Sequence, residues 1–242
     1  MLKLSQLIII CCLAIASLAA QAAVAQANPK NIQLEYDVKR DGKLFAKVKE
    51  SFSQDGKQYN IVSITKGVGV YALLGERKLL STGDVTKDGL KPKHFELHQG
   101  DNTKKSLIND FDWAKSTLNM QVKGKAKTES LEKGTQDLLS YAYQFMFVPP
   151  TKARIGLNDI NVKLSTGKKL NQYQYKVLAR GLKLSAANAS FKTLHIANMP
   201  AANDDKKQLW LAEDKYYLPV RYKLTDEDGA NFEQTLTKIN VE

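Results

Sequence analysis

Alternation of apolar and polar residues runs along most of this chain and constrains its fold more than any other feature. Successive side chains of a β-strand point to opposite faces, so a period of two predicts strands that are buried on one side. The apolar positions of the two clearest segments are Ile32, Leu34, Tyr36 and Val38, and then Leu44, Ala46, Val48 and Phe52. In the second segment, Phe45 and Glu50 break the alternation.

Four Asp-Gly pairs, each beside such segments, predict tight hairpin turns. Aspartate tolerates and glycine favours the positive φ angles of a type I′ turn, so strands joined by these pairs are expected to be antiparallel. The pairs are Asp41-Gly42, Asp55-Gly56, Asp88-Gly89 and Asp228-Gly229. Further strands are predicted near 76–86, 91–99, 105–113, 117–122, 125–130, 160–165, 170–179, 191–198, 207–212, 217–225 and 231–241.

One segment, 136–148, departs from the alternation and predicts a helix. Thr135 precedes it as a helix cap, Asp137 complements the helix dipole, and Pro149-Pro150 ends it. Apolar residues cover nearly every side, so the helix is expected to be enclosed. The predicted fold is therefore mainly β, a single antiparallel curved sheet or partly open β-barrel enclosing one hydrophobic helix.

The enclosed helix has two interpretations, which the sequence leaves open. It fills the core of the curved sheet, or it shares a cavity with a hydrophobic ligand. A glycine-bracketed apolar stretch at 67–75 is predicted to be a short helix or a mobile flap near the same opening. The residues predicted to line a ligand site are Val70, Tyr71, Leu74, Tyr141, Phe145 and Met146. In the alternative, these side chains pack on one another and leave no cavity.

The N-terminus has the pattern of a cleaved secretory signal peptide over residues 1–27. Lys3 precedes an apolar run at 7–18, and small residues offer cleavage after residue 25 or 27. The apolar run is shorter than the roughly 20 residues of a spanning helix, so no transmembrane span is expected after cleavage. Residues 28–242 are then a single periplasmic domain without cysteine, because Cys11 and Cys12 lie in the signal.

The formal net charge is +11, spread over most of the chain. Dispersed lysines give a basic surface that attracts anionic lipids and other envelope polyanions. Nucleic acid is not an expected partner of an exported protein.

The candidate catalytic groups lack the spacing that their chemistry needs. On a strand, His94 and His98 are separated by roughly 13 Å, which is too far to share a metal ion. Asp110 and Asp112 share a strand face but lack the aromatic platform of a glycosidase. Ser63 and Ser165 each precede a lysine by three residues, but the Ser/Lys acyl-transfer motif needs a helix. No enzyme activity, metal or cofactor is predicted.

Several short sequence segments together resemble those of an exported bacterial family, domain of unknown function 3108. They are Leu80-Ser81-Thr82-Gly83 with Asp88-Gly89-Leu90-Lys91-Pro92, Asp110-Phe111-Asp112-Trp113, Gly134-Thr135-Gln136-Asp137-Leu138-Leu139-Ser140, and Trp210-Leu211-Ala212 with Leu218-Pro219-Val220-Arg221. The resemblance spans about Tyr36 to Ile239. It implies a periplasmic or outer-envelope protein with antiparallel β architecture and no established activity.

The function predicted from these features is noncatalytic binding of a lipid or another hydrophobic or anionic envelope molecule in the curved sheet. The alternative is a structural or assembly partner of envelope proteins that acts through sheet edges or its basic surface, without a ligand. The identity of a protein partner is not predicted.

Overall fold

The computed structural model describes residues 27–100, 106–157, 159–200 and 205–242. The predicted signal peptide lies outside the described residues, except for Ala27. Within the described ranges, no helix is both long and apolar enough to cross a lipid bilayer.

Fifteen strands form one sheet, in the order β8-β7-β6-β5-β4-β3-β2-β1-β15-β14-β13-β12-β11-β10-β9. The strands are β1 Asn31–Arg40, β2 Lys43–Gln54, β3 Gln58–Gly67, β4 Arg77–Thr86, β5 Gly89–Gln99, β6 Leu107–Asp112, β7 Thr117–Val122, β8 Lys125–Ser130, β9 Gln136–Asp137, β10 Ile160–Ser165, β11 Leu170–Ala186, β12 Ala189–Asn198, β13 Lys206–Ala212, β14 Leu218–Thr225 and β15 Asn231–Val241. Neighbours are antiparallel, except that β9 pairs parallel to β10. This curved, unclosed sheet confirms the predicted fold class.

The first and last strands pair in the middle of the sheet. Two meanders therefore extend from β1 and β15 in opposite directions, and the sheet curves until its two halves touch. Asn109 of β6 hydrogen-bonds Ser165 of β10 at 2.6 Å, and Gln136 of β9 donates to the Leu90 carbonyl of β5 at 2.9 Å. These buried polar contacts join the halves without closing the sheet into a continuous barrel.

The Asp-Gly pairs all lie at turns, where Gly89 also begins β5, but only one has the predicted type I′ backbone. Asp41 and Gly42 both have positive φ, at 48° and 81°. In the other three pairs the glycine alone has positive φ. Asp55, for example, acts through its side chain, which accepts the backbone N–H of Lys57 and Gln58. The positions of the four turns were predicted correctly, but the type I′ backbone was predicted correctly only for Asp41-Gly42.

The helix, α1, covers Ser140–Phe147 and is shorter than predicted. Its expected first residues, Gln136 and Asp137, instead pair with β10. The carboxylate of Asp137 accepts the N–H of Leu139 at 2.8 Å and of Ser140 at 2.9 Å, and Ser140 Oγ accepts the Asp137 N–H. Asp137 thus satisfies the first N–H groups, and the predicted cap at Thr135 is wrong. The Thr135 hydroxyl donates to the Glu132 carbonyl instead.

The helix is enclosed by the curved sheet, as predicted. Tyr143 and Met146 belong to the larger of two core clusters, and Phe145 belongs to the smaller one. The Tyr143 ring stacks on Phe52 of β2 with centroids 5.0 Å apart. The helix therefore fills one end of the curved sheet, in agreement with the first of the two interpretations.

Candidate functional site

The inward side chains of the sheet are buried at the end that contains the helix. Strand register places six inward positions in one row from β1 to β6, and all six are buried. They are Ile32, Phe52, Ile61, Ser81, Phe95 and Asn109. We call this the closed end.

Two rows further along the strands, inward positions become accessible to solvent. Tyr36 and Val48 are still buried, but Thr65 and Gln99 are partly exposed and Arg77 is exposed. Across the sheet, Tyr222 of β14 and Gln234 of β15 are also partly exposed. The concave interior is therefore open at this end, which we call the mouth.

A 3₁₀ helix, Gly69–Leu74, lies at the mouth between β3 and β4. Its backbone folds over Gly67, because a Cβ atom at that position would lie only 2.1 Å from the Tyr71 carbonyl oxygen. Gly67 pairs with Ala46, whose inward side chain is buried. The 3₁₀ helix therefore covers part of the inner face. It is the short helix of the two predicted alternatives, and we call this segment, Gly69–Leu74, the flap.

Aromatic rings line the rim beside the 3₁₀ helix. Phe45 lies 4.6 Å from the Tyr71 ring and 5.8 Å from the Phe232 ring, measured between centroids. The guanidinium carbon of Arg40 lies 5.5 Å from the centre of Phe232. Phe45 broke the alternation in the sequence because it occupies an irregularity in the β1–β2 pairing.

Glu50, the other residue that broke the alternation, faces inward between the mouth and the closed end. Tyr143 of α1 donates its hydroxyl proton to the Glu50 carboxylate at 2.9 Å. Burial raises the pKa of Glu50, although hydrogen bonds from Tyr143 and Ser63 oppose the shift. The Glu50 carboxyl group therefore lies at the floor of the mouth, held by the helix, on a residue that is partly exposed as a whole.

This raised pKa predicts how stability depends on pH. A carboxyl group whose pKa is higher in the folded protein favours folding below its unfolded value, near 4.5, and loses that contribution as pH rises through the folded value. Glu50→Gln keeps the shape but does not titrate. We expect the unfolding free energy of wild type, relative to Glu50→Gln, to fall over this window and then stay constant. Urea unfolding between about pH 4 and pH 8 measures this difference, and a difference that rises with pH would contradict the assignment.

Arg77 is the cation of the mouth. It has no ion pair or hydrogen bond among the described contacts, and desolvation lowers its pKa although the side chain stays exposed. A side chain on a concave surface is reached by solvent but is also surrounded by protein, so Arg77 is both exposed and partly desolvated. Tyr222 interacts electrostatically with Arg77, and burial raises the pKa of this tyrosine. The arrangement offers a guanidinium and phenol hydroxyls to a polar or anionic group.

The structure does not gather the six predicted ligand-lining residues into one cluster. Phe145 and Met146 are buried in different core clusters. Val70 and Leu74 are exposed, Tyr71 packs on Phe45, and Tyr141 is partly buried against the smaller cluster. Of the three predicted ligand-lining residues on the helix, only Tyr141 keeps some access to solvent, so Phe145 and Met146 are core residues. A role in ligand binding stays a prediction.

His94 and His98 lie on the outer face of β5, on either side of Glu96. The Glu96 carboxylate contacts Nε2 of His94 at 2.7 Å and Nε2 of His98 at 2.8 Å. Asp110 contacts Nδ1 of His94 at 2.6 Å, while Asp112 accepts the Lys115 N–H in a turn. Among the described residues, no group of three or more His, Cys, Asp or Glu side chains has metal-site geometry.

The two serines of the Ser/Lys spacing lie in strands, as the alternation indicated. Ser63 faces inward and hydrogen-bonds Glu50, and Ser165 is buried against Asn109. Two shallow depressions lie outside the mouth, with volumes of about 490 and 640 Å³, and both are lined in part by Lys93. Neither includes Glu50 or Arg77.

The fold is similar to solved structures with little sequence identity. A beta-barrel-like protein of domain of unknown function DUF1849 from Brucella abortus has a TM-score of 0.52 and 11% identity, over 89% of this chain and 99% of that chain. A protein described as a putative exported protein with a YmcC-like fold, from Bacteroides fragilis, has a TM-score of 0.39 and 10% identity, over 88% of this chain and 97% of that chain. At 11% identity the likeness to the Brucella abortus protein concerns the fold alone.

No curated protein matches the sequence significantly. The profile of a family described as protein of unknown function, DUF3108, matches residues 35–237. This range confirms the resemblance that the short sequence segments indicated, and it covers nearly all of the described sheet. The chain belongs to the DUF3108 family.

Proposed function

We propose that this protein is a noncatalytic periplasmic binding protein for an amphipathic envelope molecule with an acyl chain and an anionic headgroup. The observation that carries the proposal is the mouth. There the inner face is open to solvent, an apolar flap crosses it, and Arg77 offers a cation with no ion pair among the described residues. An amphipathic ligand matches both halves of this surface.

The acyl chain would lie against the flap and the rim. Phe45, Tyr71 and Phe232 present aromatic surface there, and Val38 is an inward side chain that is only partly buried. Burial of apolar surface contributes about 25 cal/mol per Å², so even a partly covered chain gains several kcal/mol before the cost of association. The headgroup would meet Arg77 and Tyr222.

The environment of the inward polar groups supports a binding role over a catalytic one. Asp137 and Ser81 are buried and bonded to each other at 2.6 Å, where no substrate has access. Glu50 is held by the helix rather than paired with a histidine or cysteine. The mouth thus offers hydrogen bonds and charge, and its described carboxylate already accepts hydrogen bonds from Tyr143 and Ser63.

Native mass spectrometry tests the proposal directly. Protein purified gently from the periplasm is expected to carry additional mass, and lipid extraction is expected to identify an acyl-chain molecule. The periplasmic location rests on the predicted signal peptide, so N-terminal sequencing of the same sample checks for cleavage after residue 25 or 27. Protein that is consistently empty and displaces no fluorescent fatty-acid probe would overturn the proposal.

Arg77→Gln is expected to weaken binding of the anionic probe about tenfold. A hydrogen bond to a charged group contributes about 1.5–3 kcal/mol, and the exposure of Arg77 places it at the low end. The matched control is Lys78→Gln, which removes the same charge from the next residue, on the outer face of β4. Fluorescence titration of both variants separates a headgroup contact from a general effect of net charge. Equal loss in the two variants would contradict a role for Arg77 in the mouth.

The sheet-edge alternative has a specific candidate in β8, which ends the sheet and pairs only with β7. This strand carries Lys125 and Lys127, which are exposed. Lysines on an edge strand discourage pairing with other strands, so β8 is protected against the addition of a strand from another protein. In-cell crosslinking from β8 that captures one defined protein, with no lipid found in the mouth, would favour the alternative.

A further inference from the structure

The flap carries three large apolar side chains that nothing in the described structure covers. Val70, Leu73 and Leu74 are 75%, 91% and 60% exposed. They share one short 3₁₀ helix, with Gly69 and Gly75 at its ends, and none belongs to either core cluster. We call these three side chains the tip. Contiguous exposed apolar groups of this kind mark a site of interaction.

Several backbone polar groups beneath the tip already have hydrogen-bond partners within the protein. The Tyr71 N–H donates to the Val68 carbonyl, and the Gly75 N–H donates to the Ala72 carbonyl, both at 3.2 Å. The side-chain amide of Gln99 donates to the carbonyls of Leu74 at 2.8 Å and Gly75 at 3.3 Å. Since a polar group that leaves water without a partner is costly, these bonds lower the cost of inserting the tip into an apolar medium.

The charges beside the tip favour an anionic surface. The nearest acid, Glu76, is paired with Lys66 at 3.1 Å. The neighbouring Lys43, Arg77 and Lys78 form no ion pair in the described parts of the chain. The cations therefore keep their charge for a partner, whereas the adjacent acid does not.

An acidic turn lies on the same rim, separated from the flap by the β1–β2 turn. Asp226, Glu227 and Asp228 precede β15, next to the β1–β2 turn, where the Asp41 N–H donates to the Asn231 carbonyl. This turn limits how much of the mouth can approach an anionic surface. Contact is therefore expected through the tip and its basic flank rather than through the whole rim.

We propose that the tip inserts into the interfacial region of an anionic lipid bilayer and holds the mouth against the membrane. Val70, Leu73 and Leu74 enter the apolar boundary, Tyr71 lies at its base with Phe45, and Lys43 and Lys78 meet the headgroups. Aromatic residues at the interface and lysines at the headgroups are the usual partners of such a contact. Docking requires no ligand in the mouth, so it stands apart from the proposed binding function.

The shape of the tip favours a bilayer over a protein or a second copy of the chain. A protein partner of high affinity needs a broad, complementary surface, typically about 800 Å² on each side. Three side chains on one turn supply a narrow, convex contact instead. A bilayer accepts such a contact without matching its shape, because apolar insertion depends on area and charge.

Cosedimentation with vesicles tests this inference. Wild type is expected to bind vesicles of phosphatidylethanolamine and phosphatidylglycerol, and to bind neutral phosphatidylcholine vesicles more weakly. Replacing Val70, Leu73 and Leu74 with serine is expected to lower the partition coefficient about a hundredfold, because the apolar area of the contact is lost. The matched control is Leu178→Ser with Leu182→Ser, which removes two exposed leucines of β11.

The outcomes are distinct. Loss of vesicle binding in the triple variant alone, with unchanged circular dichroism, supports the tip. Retention of vesicle binding by the triple variant, equal loss in the control, or absence of binding by wild type overturns the inference. Wild type that binds vesicles but no fatty-acid probe would refute the proposed function and leave the docking intact. A dimer abolished by the triple variant, without vesicle binding, would identify a second copy as the occupant.

Discussion

Asp137→Ala is expected to destabilise the protein by about 3–5 kcal/mol, because it leaves several buried donors without an acceptor. Asp137 is fully buried between the short strand β9 and the start of the helix. Its carboxylate accepts the N–H groups of Leu139 and Ser140 and the hydroxyl of Ser81, at 2.6 to 2.9 Å. Burial raises the pKa of this carboxyl group, and the three hydrogen bonds oppose that shift.

The position of Asp137 makes this loss larger than that of an ordinary helix cap. The Ser81 hydroxyl also lies 3.1 Å from the hydroxyl of Tyr59, so one network joins β3, β4 and the helix. Alanine would free the start of the helix and disturb the buried contact with β4 together. Since the helix fills the closed end, the effect is expected on global unfolding and not only on local fraying.

Urea unfolding followed by circular dichroism measures the effect. Asp112→Ala is the control, because Asp112 also accepts a backbone N–H, that of Lys115, but lies partly exposed at the end of β6, beside a surface turn. We expect a much smaller loss for the control. Similar losses in the two variants would mean that the Asp137 network contributes no more than a surface turn does. Ser81→Ala in the Asp137→Ala background should add little, because the two residues share one hydrogen bond.

The strand pattern was readable because burial on one face requires alternation. Strands β7, β8, β10 and β15 have the predicted limits, and most others differ by one or two residues. Strand β11 is longer than predicted because it continues through irregular pairing between Val177 and Leu182. Local sequence does not show that a strand continues past a bulge, since the cause is the pairing with its neighbour.

The start of the helix was mispredicted for a tertiary reason. Gln136-Asp137 follows Thr135 in an order typical of a helix start, yet both residues extend along β10. The Gln136 side chain reaches the Leu90 carbonyl on the opposite half of the sheet. A contact between residues 46 positions apart leaves no periodic trace in the local sequence. Asp137 was recognised as favourable for the helix, but its role as the acceptor was assigned to Thr135.

The mouth was only partly predictable. The glycine-bracketed flap and the enclosed helix indicated an opening, and the flap lies there. Arg77 escaped notice because it is one basic residue among many, and only the register of β4 places it inward. Glu50 did leave a signal, since it is a charged residue at an inward position of the alternation. A charge that interrupts an otherwise apolar strand face is therefore worth testing as a site residue.

Gly67→Ala is expected to detach the flap from the inner face and to destabilise the protein by about 2–3 kcal/mol through steric overlap. The new Cβ atom would lie 2.1 Å from the carbonyl oxygen and 2.4 Å from the carbonyl carbon of Tyr71. These are backbone atoms, so no rotamer change relieves the overlap. The 3₁₀ helix must move, and the Val68 N–H bond to the Phe45 carbonyl, now 2.9 Å, is expected to break with it.

Gly69→Ala separates this steric effect from the general cost of replacing a glycine in the flap. Gly69 has a φ of +60° and no atom within 4 Å of its Cβ position, so alanine meets strain of about 1–2 kcal/mol but no overlap. Amide hydrogen exchange at Val68 and chymotrypsin cleavage after Tyr71 or Leu73 are expected to increase strongly in Gly67→Ala and weakly in Gly69→Ala. Equal increases would mean that the flap is not held against Gly67. Because the flap lies over Gly67 beside the buried Ala46, Gly67→Ala should expose the rim, and under the proposed function a fatty-acid probe should then exchange faster.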